Sequence, residues 1–300
     1  MKHKSPVLPF GFEARITSLV LLVAIFMLVL GISWIYLSAG FVGKSSVDFG
    51  NYPSASFKIP EEILKERIAT ESAFSARIPI VMYHYVEYVD RTKDQTRADL
   101  STAPSTLEKQ IFSLKMANYN FLFVRQIPDI VSQKNSVPPR PVVLTFDDGY
   151  EDFYFNVMPI LKKFQAKATL YVIVDFIGRP GYLDLAELKE IRDSGLVEVA
   201  SHTLNHTYLK GIKIELAKKE IIESKTKLES LLGISVPSFA YPWGAFSKET
   251  LQIVKTAGYT NAVSVIPGVN QSQENEFYLF RIRPGFLSGI NPAKSLQLYK

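Results

Sequence analysis

Three hundred residues, 47% of them apolar and 21% charged, describe a globular chain with a sizeable core, built as one large domain or two small ones. The formal charge of +5 is modest, Lys2, Lys4 and Arg15 belong to an N-terminal tail, and no Lys/Arg run carries interleaved aromatics, which argues against nucleic acid as a partner. The absence of cysteine excludes disulfides, thiolate zinc sites and cysteine nucleophiles, and is compatible with an oxidising exterior.

The first predicted element is apolar: from Ile16 to Gly43 there is no charged residue. About 20 apolar residues span a bilayer core, so this stretch is long enough for one transmembrane helix. Lys2, Lys4 and Arg15 precede it against Glu13 alone, which predicts a cytoplasmic tail and a chain that continues outside. Trp34 and Tyr36 fall near the outer end, where amphipathic rings suit the interface. The alternative is a cleaved signal peptide. Its apolar region would be about 7–15 residues, and Leu37-Ser38-Ala39, the best cleavage candidate, begins with a large residue. Ser, Pro and charge in 44–75 read as a stalk with a short helix over Glu61–Thr70. The expected organisation is a tail (1–15), an anchor (16–43), a stalk (44–75) and a globular domain (76–300).

Beyond the stalk, apolar β-branched runs alternate with helical patterns. Strands are predicted at Ile78–Tyr83, Phe121–Val124, Val142–Phe146, Ala168–Val174, Val197–Ala200, Ser238–Tyr241, Asn261–Val265 and Phe277–Ile282. Helices with one buried face are predicted at 104–118, 150–164, 183–194, 212–232 and 248–257. Gly195, Gly233 and Gly258 close three of them. The alternation predicts an α/β fold on a parallel sheet. A β/α barrel and an open doubly wound sheet fit this pattern equally.

Two short stretches at strand ends carry the chemistry. Thr145-Phe146-Asp147-Asp148-Gly149-Tyr150 ends the run Pro141-Val142-Val143-Leu144, and His202-Thr203-Leu204-Asn205-His206 follows Val197-Glu198-Val199-Ala200 after Ser201. Asp-Gly is ordinary turn chemistry, and two imidazoles can sit idle on a polar turn. Their coexistence argues otherwise. The chain has four histidines and two of them fall at i, i+4 in one motif, a spacing that puts both rings on one face of a helical turn. One carboxylate can then bind a metal with the two histidines while the other stays free to take a proton from water. Zinc suits such N/O ligands best; cobalt, nickel or iron also fit, and calcium does not.

The motif pair resembles the polysaccharide deacetylase (NodB-homology) family, carbohydrate esterase family 4, whose first motif reads T-F-D-D-G and whose second reads H-S/T-x-x-H. The two stand about 55 residues apart, and the likeness covers roughly residues 76–285, including Tyr241-Pro242-Trp243-Gly244. It implies a distorted, incomplete (β/α) barrel of about seven strands. It further implies Asp147 as general base, Asp148, His202 and His206 as metal ligands, and the Trp243 N–H as an oxyanion donor. Tyr241 and Trp243 are candidate sugar platforms, against the plainer reading of wall packing.

The chain departs from the family at three motifs. Ala240 stands where R-x-P-Y/W carries the Arg that steadies the base, so Ala240 can orient nothing, and Arg281 or Arg283 is the candidate substitute. The fourth motif's Asp is absent from Asn261–Gly268, and no histidine follows His206 to complete the last motif. These departures resemble a sub-group that processes poly-N-acetylglucosamine, whose permuted barrel opens with an apolar strand ending Tyr-His, as Val81-Met82-Tyr83-His84-Tyr85 does here. His84 is then the candidate general acid, because His202 and His206 are committed to metal and His3 lies in the tail. Its plainer reading is a hydrogen-bonded core histidine.

The expected protein is a membrane-anchored, extracytoplasmic, metal-dependent N-deacetylase that releases acetate from an N-acetylglucosamine polymer, either exopolysaccharide or cell-wall glycan. Two rivals remain. One is a non-catalytic carbohydrate-binding protein on a decayed barrel, which the missing motifs favour. The other is a small-molecule metal-dependent amidase or esterase, which would need a closed pocket.

Overall fold

The computed structural model describes residues 59–63, 74–289 and 291–299. The expected tail, the apolar segment 16–43 and most of the stalk lie outside the described residues. Of the helix expected over Glu61–Thr70, the first three residues are helical and the rest lies outside. Among the described residues no helix is long and apolar enough to cross a membrane.

The eight predicted strands all form, with ends shifted by a residue or two. They are β2 (Ile80–Tyr83), β3 (Asn120–Leu122), β4 (Pro141–Phe146), β5 (Ala168–Val172), β6 (Val197–Ser201), β7 (Ser238–Ala240), β8 (Asn261–Pro267) and β10 (Leu279–Arg281). Two short strands add to them: β1 (Ser75–Arg77) and β9 (Asn270–Ser272) pair antiparallel as a separate ribbon. Among the described residues, Ser75 is the first in a strand.

Seven strands run parallel in the order β10-β8-β7-β6-β5-β4-β2. The two edges then approach each other. Ile282, one residue past β10, donates its N–H to Ile80 at 2.8 Å and accepts from Met82 at 2.9 Å. The result is a nearly closed α/β barrel. β3 is not a barrel stave. It pairs with the first half of β4, while β5 takes the second half.

Side-chain alternation divides each strand between two environments. Ile80, Val143, Tyr171, Ala200, Ala240, Val263 and Leu279 meet inside the barrel, and Ile78, Val124, Ile127 and Ile130 join the same cluster. The intervening residues, such as Val142, Leu144, Phe146, Val199 and Phe239, pack outward against helices that contribute Leu107, Ile111, Leu188, Ile191, Ile221, Leu228 and Val254. Strands covered on both sides read as continuous apolar runs, which is why β4 and β5 are buried at every position. Because the strands are parallel and in register, with Tyr83 opposite Phe146 and Val172 opposite Ser201, their C-terminal ends fall on one face. Barrel active sites occupy that face.

Candidate active site

Asp147 follows β4 on the inward-facing parity of Val143 and Thr145, and it is buried. Its N–H donates to the Tyr83 carbonyl at 3.0 Å, so His84, the next residue along, emerges beside it. Arg281 comes from β10 and crosses the barrel interior. Its Nη1 and Nη2 donate to the two Asp147 oxygens at 2.8 Å each, Nε donates to the Ser264 carbonyl at 2.7 Å, and Nη1 also reaches Thr145 Oγ1 at 3.2 Å. Burial alone would push the Asp147 carboxyl up. The adjoining guanidinium outweighs it and holds the group below the usual carboxylate range. Of the two candidate arginines, Arg281 makes this pair. Arg283 lies two residues further on, where its charge bears on His84.

Asp148 turns the other way. It adopts φ +78° and Gly149 φ +77°; a Cβ on Gly149 would lie 3.1 Å from Val172 Cγ1, so both the backbone and the space there demand glycine. The turn brings Asp148 Oδ1 to 3.4 Å from His202 Nε2 and 3.3 Å from His206 Nε2. One ligand atom from each of the three side chains lies within 4.8 Å of the others.

The histidines converge differently from the expectation. His202 and His206 are not on a helical turn: Thr203 sits at φ +68° and His206 at φ +56°, so left-handed backbone brings the rings to 4.9 Å. The buried Glu220 holds this turn in place, accepting the N–H groups of Leu204 at 3.0 Å and Asn205 at 2.9 Å. Trp243, at φ +53°, is a fourth non-glycine residue of the site in left-handed backbone, after Asp148, Thr203 and His206. Each such position costs of order 1–3 kcal/mol and persists only where the surroundings over-determine it.

The three side chains fit a divalent metal. His202 Nδ1 is 2.8 Å from the Ala240 carbonyl, which places the proton on Nδ1 and leaves the Nε2 lone pair facing a carboxylate. Asp148 Oδ1 is buried without a hydrogen-bond partner. Acceptors that face each other in a buried site suit a cation held between them, and the carbonyl behind His202 is the outer support that metal-ligating histidines require. The donor set of two imidazoles and one carboxylate suits zinc and its neighbours. Ala240 therefore does orient something. Its backbone carbonyl aligns His202, where its side chain was expected to orient nothing.

His84 is half-buried. Burial lowers its pKa, the Asp147 and Asp148 charges oppose that fall, and Arg281 and Arg283 reinforce it. Burial would likewise lower the pKa of His202, but the Asp148 carboxylate outweighs it and raises the group: the anion facing Nε2 favours a positive charge there, whether a proton or a metal.

Tyr241 is a correction. It is 0% exposed, with its ring packed against Phe239 and Phe246, so it belongs to the wall and cannot serve as a sugar platform. Trp243 is half-exposed, with its ring 4.1 Å from that of His206.

Sequence reasoning missed three supports. Glu220 had a signal, being a charge on the buried stripe of Ala217, Ile221 and Ser224. Asp152 and Asn156 had none. Asp152, just before the π-helical turn Phe153–Val157, and Asn156, on it, clamp the Val86 backbone: Asp152 accepts its N–H, and Asn156 donates to its carbonyl at 2.8 Å.

Comparisons with known proteins agree with this geometry. A family model described as polysaccharide deacetylase matches residues 134–262. A poly-β-1,6-N-acetyl-D-glucosamine N-deacetylase of Staphylococcus aureus is 31% identical over 195 residues, which are 61% of this chain and 67% of the relative. The Streptococcus pyogenes deacetylase PplD, solved with acetate, superposes with a TM-score of 0.69 at 31% identity, covering 76% of this chain and 100% of that one. A polysaccharide deacetylase from Bacillus cereus gives a TM-score of 0.62 at 31% identity, covering 70% and 65%. With barrel, motif pair and relatives in agreement, the chain belongs to the polysaccharide deacetylase family, hydrolases that cleave non-peptide carbon–nitrogen bonds.

Proposed function

We propose that this protein is a metal-dependent N-deacetylase that removes acetyl groups from an N-acetylglucosamine-containing polysaccharide and releases acetate. The observation that carries the reading is the division of labour between adjacent carboxylates: Asp147 locked to Arg281, Asp148 turned to the two histidines. The Staphylococcus relative's named substrate supports the sugar.

Asp148, His202 and His206 would hold the metal, zinc in the first instance, which when bound supplies Lewis acidity towards the acetamide carbonyl and a water. Asp147 accepts a proton from the attacking water as the C–O bond forms. Arg281 costs Asp147 basicity but keeps it ionised and fixed in orientation, so the acceptor is present at every turnover. The Trp243 N–H donates to the developing oxyanion. His84 gives its proton to the sugar nitrogen as the C–N bond breaks, because an amide anion leaves too poorly without one. Residues 16–43 would anchor the enzyme in the membrane with the barrel outside the cytoplasm.

The test is acetate release by the full chain from N-acetylated glycans with zinc supplied, alongside metal analysis. Asp147→Asn should keep the metal and lose turnover, and Asp148→Ala should lose the metal. The reverse pattern would overturn the assignment. No release from any glycan by the metal-loaded protein would favour a carbohydrate-binding protein.

A further inference from the structure

Two large aromatic side chains stand open beside the metal cluster. Tyr208 is 47% and Trp243 50% exposed, and their ring centroids lie 6.2 Å apart with planes 44° from parallel. The Trp243 ring in turn lies 4.1 Å from the His206 ring. The pair is thus an apolar strip that begins at a candidate metal ligand and runs outward.

The exposure is built in. Leu209, next to Tyr208, is fully buried and anchors the segment. Trp243 is held in left-handed backbone, which bulky side chains avoid. Gly244 behind it fits so closely that a Cβ would meet Val265 Cγ2 at 2.4 Å. Two adjoining open aromatics beside a candidate metal cluster are suited to holding a ligand.

Its chemistry points to a pyranose. A sugar ring offers an apolar C–H face with hydroxyls around the edge, which complements an aromatic face with a polar handle at its rim. Contact with His206 indicates which sugar. A molecule with its acetamide at the cluster would lay the next residue of its own chain along this strip.

We propose that Tyr208 and Trp243 form a stacking subsite for the sugar adjacent to the one being deacetylated, so that the protein recognises a chain of at least two residues rather than a lone acetamide. The inference rests on the glycan reading above, and it assigns a role to Tyr208, which lies outside both motifs.

The chain has two tryptophans. In the full-length, zinc-loaded protein carrying Trp34→Phe, Trp243 becomes the sole tryptophan, read by excitation at the red edge where tyrosine does not absorb. Titration with monomeric N-acetylglucosamine and with its β-linked pentamers (1,4 and 1,6) gives an affinity ratio between chain and monomer. Tyr208→Ala should lower that ratio about tenfold, equivalent to ~1.4 kcal/mol, and Tyr208→Phe, which keeps the ring, should restore it. An unchanged ratio in folded Tyr208→Ala, or loss of the ratio in Tyr208→Phe as well, would overturn the subsite. Acetate assays on the same samples separate the two ideas. Pentamer binding through the strip without acetate release from any glycan supports the subsite and sinks the deacetylase reading.

Discussion

Replacing Arg281 with methionine tests the proposed base through both stability and pH. Methionine fills much of the same space yet makes none of the four hydrogen bonds that Arg281 donates to Asp147, Ser264 and Thr145. The Asp147 carboxylate would then be buried with its main partner gone. Removing one member of a buried ion pair typically costs about 3–5 kcal/mol, a large part of the ~5–15 kcal/mol that holds a domain together.

The sign of the pH effect follows from the two forces on Asp147. In the wild type Arg281 depresses its pKa against burial, so the pair's stabilisation is present above the ordinary aspartate value and lost as pH falls through the depressed one. In the variant burial dominates and the folded pKa rises above the unfolded value. Stability is then lost as pH rises. Urea unfolding of the metal-free proteins at about pH 4.5, just above the ordinary aspartate value, and at about pH 8 should therefore show the larger deficit at the higher pH, and the acid limb of kcat/KM should move upward. Equal deficits at both pH values, with an unmoved acid limb, would refute the argument that Arg281 controls the ionisation of Asp147.

Three further outcomes are expected. His84→Ala should lower acetate release from N-acetyl glycans about 10²–10⁴-fold but reduce hydrolysis of 4-nitrophenyl acetate far less, because nitrophenolate departs without a proton; equal losses on both substrates would remove His84 from the acid role. Glu220→Gln should weaken zinc binding about 10–100-fold, as loss of an outer-shell support does, read by competition with a chelator; unchanged affinity would make the Glu220 contacts to Leu204 and Asn205 irrelevant to the histidines. A reporter fused after Lys300 should be active only outside the cytoplasm with the chain held in membranes, and a shorter, washable product would mean that 16–43 is cleaved.

Legibility followed burial. Strands β4, β5 and β6 could be read because both faces are covered and every residue is apolar or small except Glu198, whose buried carboxylate accepts from Thr169 and Ser238. β3 has the same composition, so only its pairing excludes it from the barrel. β1 and β9, at three residues each, carry no period at all. The histidine spacing was legible as a metal motif but misleading as a helix, since any compact turn can bring i and i+4 together. Tyr241 and Trp243 differ by parity and depth: Ala240 faces inward, which sends Phe239 and Tyr241 outward into the helix layer, whereas Trp243 lies past the strand end. For Arg281 and Arg283 parity is the same, and depth along the barrel axis separates them, which a linear pattern does not encode.

That same geometry bears on the family Arg that this chain lacks. A barrel interior is shared by all its strands, so a guanidinium can reach Asp147 from β10 as well as from β7. Ala240 is buried in the interior cluster and Arg281 is buried on the same strand parity as interior Leu279, so a small residue at 240 is compatible with a large one at 281. The trade is testable as a double-mutant cycle. Ala240→Arg alone forces a second guanidinium into a filled, buried space, where overpacking costs about 1–3 kcal/mol and like charge adds to it. Arg281→Ala alone leaves a cavity and an uncompensated carboxylate. If the two positions share one volume and one charge, Ala240→Arg with Arg281→Ala should be more stable than the sum of the single effects by about 1–3 kcal/mol. It should also regain acetate release relative to Arg281→Ala. Additive losses in metal-loaded protein would mean that the interior does not accept an arginine from β7, and that the position of Arg281 on β10 is specific rather than interchangeable.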